Sequence, residues 1–283
     1  MKRIVAFPLV RLVLIVVLFG TLSLPLTLAV RPSTIWRVIV VNWALALVLF
    51  VAMNVVERFA AGKTAKAIGF DPRFALRDVT LGCALGAVLF STVLVELRFA
   101  GFYRFEAIHV SGDVAIAALL LLGDAVVEEL IFRGILFRLV EEWAGTWIAL
   151  AVSAALFGLA HAANPGATWF SSLAIAIEAG VLLGAAYVVT RNLWFPIGLH
   201  FAWNFFEGPV YGTQISGHVF LKSMVTAKVA GPEIFTGGQF GPEAGLFAIV
   251  TCVVAATALL AYGVRHSLIR APAWRKRATV AAR

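Results

Sequence analysis

Long apolar stretches alternate with short polar ones along almost the whole chain. A helix needs about 20 apolar residues to cross the hydrocarbon core of a bilayer, and eight stretches come close to this length. They are residues 10–30, 35–56, 79–97, 114–140, 147–161, 169–189, 193–206 and 245–264. The pattern predicts an all-α fold: a polytopic membrane helix bundle with about eight transmembrane helices, in a single integral membrane domain over residues 1–283.

The composition agrees with a membrane protein. Hydrophobic residues make up 61% of the chain and charged residues 13%, whereas soluble domains have roughly 45–50% and about 25%. The net charge of +8 raises the question of whether the protein binds nucleic acid. If the N-terminus is cytoplasmic, however, sixteen of the 23 lysines and arginines fall in inside regions and six in outside regions, with Arg133 inside a helix.

This asymmetry follows the positive-inside rule for an even number of spans. We therefore expect the lipid bilayer as a partner and no nucleic acid. We also expect an integral protein of a bacterial inner (plasma) membrane, with both termini cytoplasmic. Lys2, Arg3 and the following apolar run resemble a cleaved signal peptide, but the run is long enough to span, so an uncleaved first helix is expected.

Two connections and two cysteines complete the outline. Residues 57–78 form a basic inside loop, expected to lie along the membrane surface. Residues 207–244 are rich in glycine and long enough for a lid or binding loop, although a plain solvated loop fits equally well. Cys83 and Cys252 lie in apolar helices without metal-ligand spacing, which predicts small buried side chains.

Polar and ionisable residues inside the apolar stretches are costly and usually face a bundle interior or a cavity. They are Glu128, Glu129, Arg133, His161, Glu178, His200 and Asn204. Glu129 and Arg133 are four positions apart, which favours an ion pair that supports the helix. Glu128 lies about 100° further round the helix and stays available. Glu178 has no cation in its own helix and either supports a site or binds water.

The depths of four of these residues coincide. A tight turn near residues 144–146 joins the fourth and fifth helices, and Glu128 and His161 are equally far from it. In an antiparallel hairpin they should therefore lie level, roughly 20 Å from the turn. His200 and Asn204 share one face of the seventh helix at an overlapping depth.

Such a layer allows several functions. Glu128 with His161 can activate water as a general base, while His200 and Asn204 stabilise an oxyanion. Alternatively, Glu128, His161 and His200 could bind zinc with an open position for water, so the cofactor is either none or zinc. A structural polar cluster, or a proton or ion pathway in a transporter, also stays open. His109, His218 and His266 are expected to be solvated. Signatures of serine hydrolases, zincins and nucleotide hydrolases are missing from the sequence.

Three motifs resemble those of the CAAX protease and bacteriocin-processing (Abi) family of intramembrane endopeptidases. Glu-Glu-x-x-x-Arg matches residues 128–133, Phe-x-x-x-His matches 157–161, and His-x-x-x-Asn matches 200–204. All three lie in order in apolar helices, and the resemblance covers roughly residues 113–206. The first three helices and the last match only in general character.

The resemblance implies an intramembrane protease of eight helices, related to the type II CAAX prenyl endopeptidase. By motif position, Glu128 and His161 would activate the water, and His200 and Asn204 would hold the oxyanion. The family has also been described as metal-dependent, and the sequence leaves that alternative open. The expected partner is a membrane-anchored peptide or protein, and a prenylated substrate cannot be assumed.

Overall fold

The computed structural model describes residues 2–29, 34–109, 113–219 and 223–275. Eight long helical segments follow the order of the apolar stretches, and three of them contain a short π-helical stretch. The α-helices are α1 Lys2–Val5, α2 Pro8–Ala29, α3 Ile35–Ala61, α4 Ala75–Phe99, α5 Asp113–Glu129, α6 Arg138–Ala144, α7 Thr146–Ala160, α8 Trp169–Ile175, α9 Val181–Thr190, α10 Trp194–Phe205, α11 Glu233–Thr236 and α12 Leu246–Arg265. The π-helical stretches are Leu130–Phe137, Ala176–Gly180 and Phe206–Val210, and 3₁₀ turns cover Ala65–Ile68, Pro72–Phe74, His161–Ala163 and Pro242–Ala244.

Six of the eight segments in the described part of the chain are long and apolar enough to cross a membrane. The exceptions are the fourth segment, which carries the charged motif, and the seventh, whose α-helical part has 12 residues. Large apolar side chains such as Phe59, Leu76 and Phe99 point outward, as a lipid-facing surface requires. The chain is thus an all-α integral membrane bundle, as predicted, while eight spans stay a prediction.

Small residues let α4 and α10 approach closely. A methyl group at Gly82 would lie 2.2 Å from the Phe195 carbonyl oxygen, and one at Gly86 would lie 2.3 Å from that of Leu199. No side chain fits at either position, because the backbones themselves are in contact. This contact fixes α10, and therefore His200 and Asn204, against the bundle.

The segment between α10 and α12 is more organised than a solvated loop. Strand β2, Val225–Val229, pairs antiparallel with β1, Tyr103–Ile108. This small sheet was not predicted, although residues 103–108 alternate between apolar and polar in part. The Tyr103 hydroxyl donates to the Tyr211 carbonyl oxygen at 2.9 Å, and burial raises the pKa of Tyr103 to about 12, so it stays a neutral donor.

A buried ionic cluster ties the first, second and fourth segments together. We call Arg11, Glu57, Lys63, Arg138 and Glu142 the basal network. Glu57 accepts from Arg11 at 2.6 Å and from Arg138 at 2.9 Å, and Glu142 accepts from Arg11 and Lys63. The sequence predicted that residues 57–78 form a loop along the membrane surface. The first of them, Glu57, instead lies on α3 and is fully buried in the bundle.

Candidate active site

A cavity of about 350 Å³ lies inside the bundle, and all four residues with predicted catalytic roles line it. Glu128 comes from the end of α5, His161 from the end of α7, and His200 and Asn204 from α10. The turn between α6 and α7 is at Gly145, whose φ of 83° suits glycine. This tight turn folds α7 back along the fourth segment and brings Glu128 and His161 to one cavity.

Glu128 keeps an unused oxygen. Its Oε2 is buried without a hydrogen-bond partner and lies 3.9 Å from His200 Nε2. The side chain as a whole is 31% exposed, because part of it faces the cavity. Buried polar atoms usually have partners in native structures, so this oxygen is positioned to bind a molecule that enters the cavity.

Glu129 joins Arg133 to His200. Its Oε1 accepts from Arg133 Nη1 at 2.8 Å, the pairing that the four-residue spacing predicts, and both side chains are fully buried. The same oxygen lies 3.0 Å from His200 Nδ1. Because a carboxylate only accepts, Nδ1 must carry the proton, which leaves His200 Nε2 facing Glu128. Glu129 therefore orients a histidine of the cavity, a role that the sequence analysis did not assign to it.

Arg133 holds the neighbouring sixth segment in place. Its Nη2 donates to the carbonyl oxygens of Ala179 at 3.0 Å and Gly180 at 3.2 Å. Its guanidinium also lies 4.7 Å from the centroid of the Phe157 ring, a favourable cation–π contact. The arginine thus links the first and second motifs and the segment that carries Glu178.

His161 is oriented by its own helix. Its Nδ1 lies 2.8 Å from the Phe157 carbonyl oxygen, which can only accept. The neutral ring therefore carries its proton on Nδ1 and keeps a lone pair on Nε2. Among the described residues, Glu128 and His161 form no direct hydrogen bond or ion pair, so any joint action on a substrate or water takes place across the cavity.

The three π-helical stretches carry or adjoin ionisable residues around this cavity. Each contains a hydrogen bond to the carbonyl five positions earlier, from Arg138 to Arg133, from Val181 to Ala176 and from Tyr211 to Phe206. Such widened turns occur frequently at functional sites. Here they hold Arg133, Glu178 and Glu207.

Several cavity residues escaped the sequence analysis. Asp124 lies one turn before Glu128 on α5 and accepts from Asn42 at 2.5 Å. Its position four residues before Glu128 is the signal that could have found it. His218 is exposed, as expected of a solvated residue, and it also lines the cavity together with Ser216.

A pair of buried carboxyl groups anchors the outer wall. Glu243 Oε1 accepts from both the backbone N–H and the hydroxyl of Ser216, at 2.7 and 2.6 Å. Glu207, which is also buried, accepts from the backbone N–H of Glu243 at 3.2 Å. The loop at Ser216 is therefore fastened over the cavity, which favours a binding loop over a plain solvated one.

The candidate zinc ligands do not form a ligand set. Within residues 2–29, 34–109, 113–219 and 223–275, no group of three or more His, Cys, Asp or Glu side chains is arranged to hold a metal ion. Glu128, His161 and His200 line one cavity without converging on one point. Cys83 and Cys252 are free thiols, and Cys252 is buried.

Comparison with known proteins points to one family. Residues 110–206 match the family described as Type II CAAX prenyl endopeptidase Rce1-like, and this range contains all three motifs and the four cavity residues that they supply. Neither the curated proteins nor the solved structures gave a match. The motif-bearing segment of this integral membrane protein is thus similar to the Rce1-like family of CAAX-type endopeptidases.

Proposed function

We propose that the protein is an intramembrane endopeptidase that cleaves a membrane-associated or prenylated, CAAX-like substrate with a water molecule activated by Glu128 and His161. The unpartnered, buried oxygen of Glu128 is the observation that carries this proposal. It shares a cavity with His161, whose Nε2 keeps a lone pair because Nδ1 is bonded to Phe157. Two acceptors therefore face one space in which a water molecule can donate to them.

The remaining two motif residues would stabilise the developing charge. Attack of the water oxygen on the peptide carbonyl breaks its π bond and places a negative charge on the carbonyl oxygen. With Nδ1 bonded to Glu129, a doubly protonated His200 can donate from Nε2, and the Asn204 amide can donate beside it. The proton that Glu128 takes from water then passes to the leaving amine when the C–N bond breaks.

The test is cleavage by the purified protein in liposomes, with a panel of membrane-anchored and prenylated peptides, with and without chelator. We expect hydrolysis that Glu128→Gln abolishes and that chelator does not affect. Asn204→Ala should lower kcat by roughly 10²–10³, the usual cost of one oxyanion donor, with little change in binding. Loss of wild-type activity with chelator would favour the metal mechanism, and ion flux without cleavage would favour a transporter.

We also propose that both termini lie in the cytoplasm, since basic residues concentrate on that side of an eight-span arrangement. Reporter fusions after residue 275 and within residues 211–219 should report opposite sides of the membrane. A reporter that places the C-terminus outside contradicts the proposal.

A further inference from the structure

Two buried polar atoms of the cavity lie outside the three motifs and have no partner. Trp203 Nε1 and Glu178 Oε1 form no hydrogen bond, although both residues line the cavity. Trp203 is 4% exposed and Glu178 is 1% exposed, so bulk water does not satisfy them. An unsatisfied buried donor and an unsatisfied buried acceptor in one cavity require an explanation.

Both residues are held next to the proposed catalytic groups. Trp203 follows His200 by three positions and precedes Asn204 on α10, and its ring contacts Phe90 edge-on at 5.1 Å between centroids. Glu178 lies in the π-helical stretch of the sixth segment, next to the two carbonyl groups that bind Arg133. The Cys252 thiol is within hydrogen-bonding reach of the Glu178 carboxyl group, and the Glu243 carboxyl group is a further neighbour, while Oε1 of Glu178 stays without a partner.

Trp203 Nε1 is a hydrogen-bond donor and Glu178 Oε1 is an acceptor, which limits the chemical groups that can bind both. A cationic group would satisfy the carboxyl oxygen but leave the indole N–H without an acceptor. An anion would satisfy the indole and be repelled by the carboxyl groups that line the cavity. A peptide group offers both a carbonyl acceptor and an N–H donor, so it alone among these ligands satisfies both atoms.

We propose that Trp203 and Glu178 bind the substrate's backbone beside the scissile bond. Trp203 Nε1 donates to a backbone carbonyl, and Glu178 Oε1 accepts from a backbone N–H. Either protonation state of Glu178 can serve, because the carbonyl oxygen of a neutral carboxyl group also accepts. The inference rests on the proposed peptidase function and names two substrate-binding residues for it.

The membrane supplies the reason for such contacts. An extended substrate segment leaves its backbone donors and acceptors without partners of its own. Within the hydrocarbon region unsatisfied backbone groups are strongly unfavourable. A protease that satisfies these groups stabilises the bound segment, and it does so without depending on the substrate's side chains.

The experiment measures peptide binding separately from cleavage. The protein carries Glu128→Gln so that bound peptide is not consumed, and fluorescence anisotropy in detergent gives Kd. The probe is a labelled, membrane-anchored peptide that the wild type cleaves, together with versions in which one backbone N–H at a time is replaced by an ester oxygen. We expect one ester position to weaken binding roughly tenfold.

Variants of the protein then show which side chain binds the backbone group at that position. In Glu178→Met the amide and ester peptides should bind equally, because the acceptor has been removed. Trp203→Phe, which keeps the ring but removes the N–H, should weaken binding of the amide peptide roughly tenfold. Trp194→Phe is the matched control, since its indole donates to the Asp71 carbonyl oxygen away from the cavity, and its Kd should not change.

The outcomes separate the two proposals. Tight binding and cleavage with no sensitivity to any ester position would overturn the backbone contacts and leave the peptidase intact, with water as the partner of both atoms. The ester series uses side chains that are unaltered at 178 and 203, so a misfolded variant does not obscure it. Absence of both binding and cleavage across the panel would overturn both proposals.

Discussion

The basal network and the polar residues around the cavity differ in how many of their buried polar atoms have partners. In the basal network each carboxylate meets at least two cations, and among its described side-chain atoms only Arg11 Nε lacks a partner. Around the cavity, one oxygen each of Glu128, Glu129, Glu178 and Glu207 lacks a hydrogen-bond partner, as does Trp203 Nε1. Both clusters lie in the same bundle, so burial alone does not explain the difference.

The comparison separates paired charged groups that hold helices together from polar groups that remain unpaired and can bind a ligand. An unsatisfied buried polar group costs about 1–3 kcal/mol, so several of them in one place destabilise the folded protein. Such local violations are expected where a site binds or reacts with another molecule. None of the basal-network residues lines the cavity of the proposed active site, and their charges are matched.

The largest contrast is expected between two carboxylates, Glu57 and Glu128. Glu57→Gln leaves Arg11 and Arg138 without their shared partner and should lower the free energy of unfolding by about 3–5 kcal/mol. Cleavage per folded molecule should stay unchanged. Glu128→Gln should abolish cleavage and leave thermal stability nearly unchanged, because its buried Oε2 has no hydrogen bond to lose.

Thermal unfolding in detergent and initial cleavage rates, normalised to folded protein, measure both effects. Equal destabilisation by the two substitutions would remove the distinction between the clusters. Activity in Glu128→Gln would contradict its catalytic assignment.

Glu129→Gln should show an intermediate, mixed effect because Glu129 belongs to both kinds of interaction. It pairs with Arg133 and orients His200 through the same oxygen. We expect reduced stability together with a roughly 10–100-fold lower kcat. Metal sites lose a similar factor when a group that orients a histidine is removed. A stability loss with unchanged kcat would show that His200 needs no orientation by Glu129.

The smallest effect is expected outside the membrane-spanning segments, at Asp71. Hydrogen bonds from Arg73 hold the pKa of this carboxyl well below its usual range. A lowered folded-state pKa stabilises the protein above the unfolded-state value of about 3.9, and the contribution disappears as pH falls through the folded-state value. Asp71→Asn should therefore lower Tm slightly at pH 7, with a difference that narrows below about pH 4.

Melting curves of the wild type and Asp71→Asn across this pH range provide the measurement. Arg98→Gln, a charge change in the last turn of α4, is the control for general charge effects. A difference in Tm that grows as the pH falls would contradict the assigned sign.

Much of this protein could be predicted from its sequence, because the relevant information is local. The length of an apolar stretch predicts a span, since the bilayer has a fixed thickness. The spacing of four residues predicts the Glu129–Arg133 pair, since the helix has 3.6 residues per turn. The tight turn at Gly145 predicts that Glu128 and His161 lie at the same depth, since both are equally far from it along helices with a fixed rise per residue.

Contacts between distant parts of the chain were decided by the tertiary structure. Glu129 reaches His200 across 71 positions, Glu243 fastens Ser216 across 27, and β1 pairs with β2 across more than a hundred. No helical period encodes these distances, because they depend on how neighbouring segments pack and on which backbone groups their packing leaves free. The sequence therefore determined which residues could form a site and at what depth, while helix packing decided which of their atoms are paired and which remain available to a substrate.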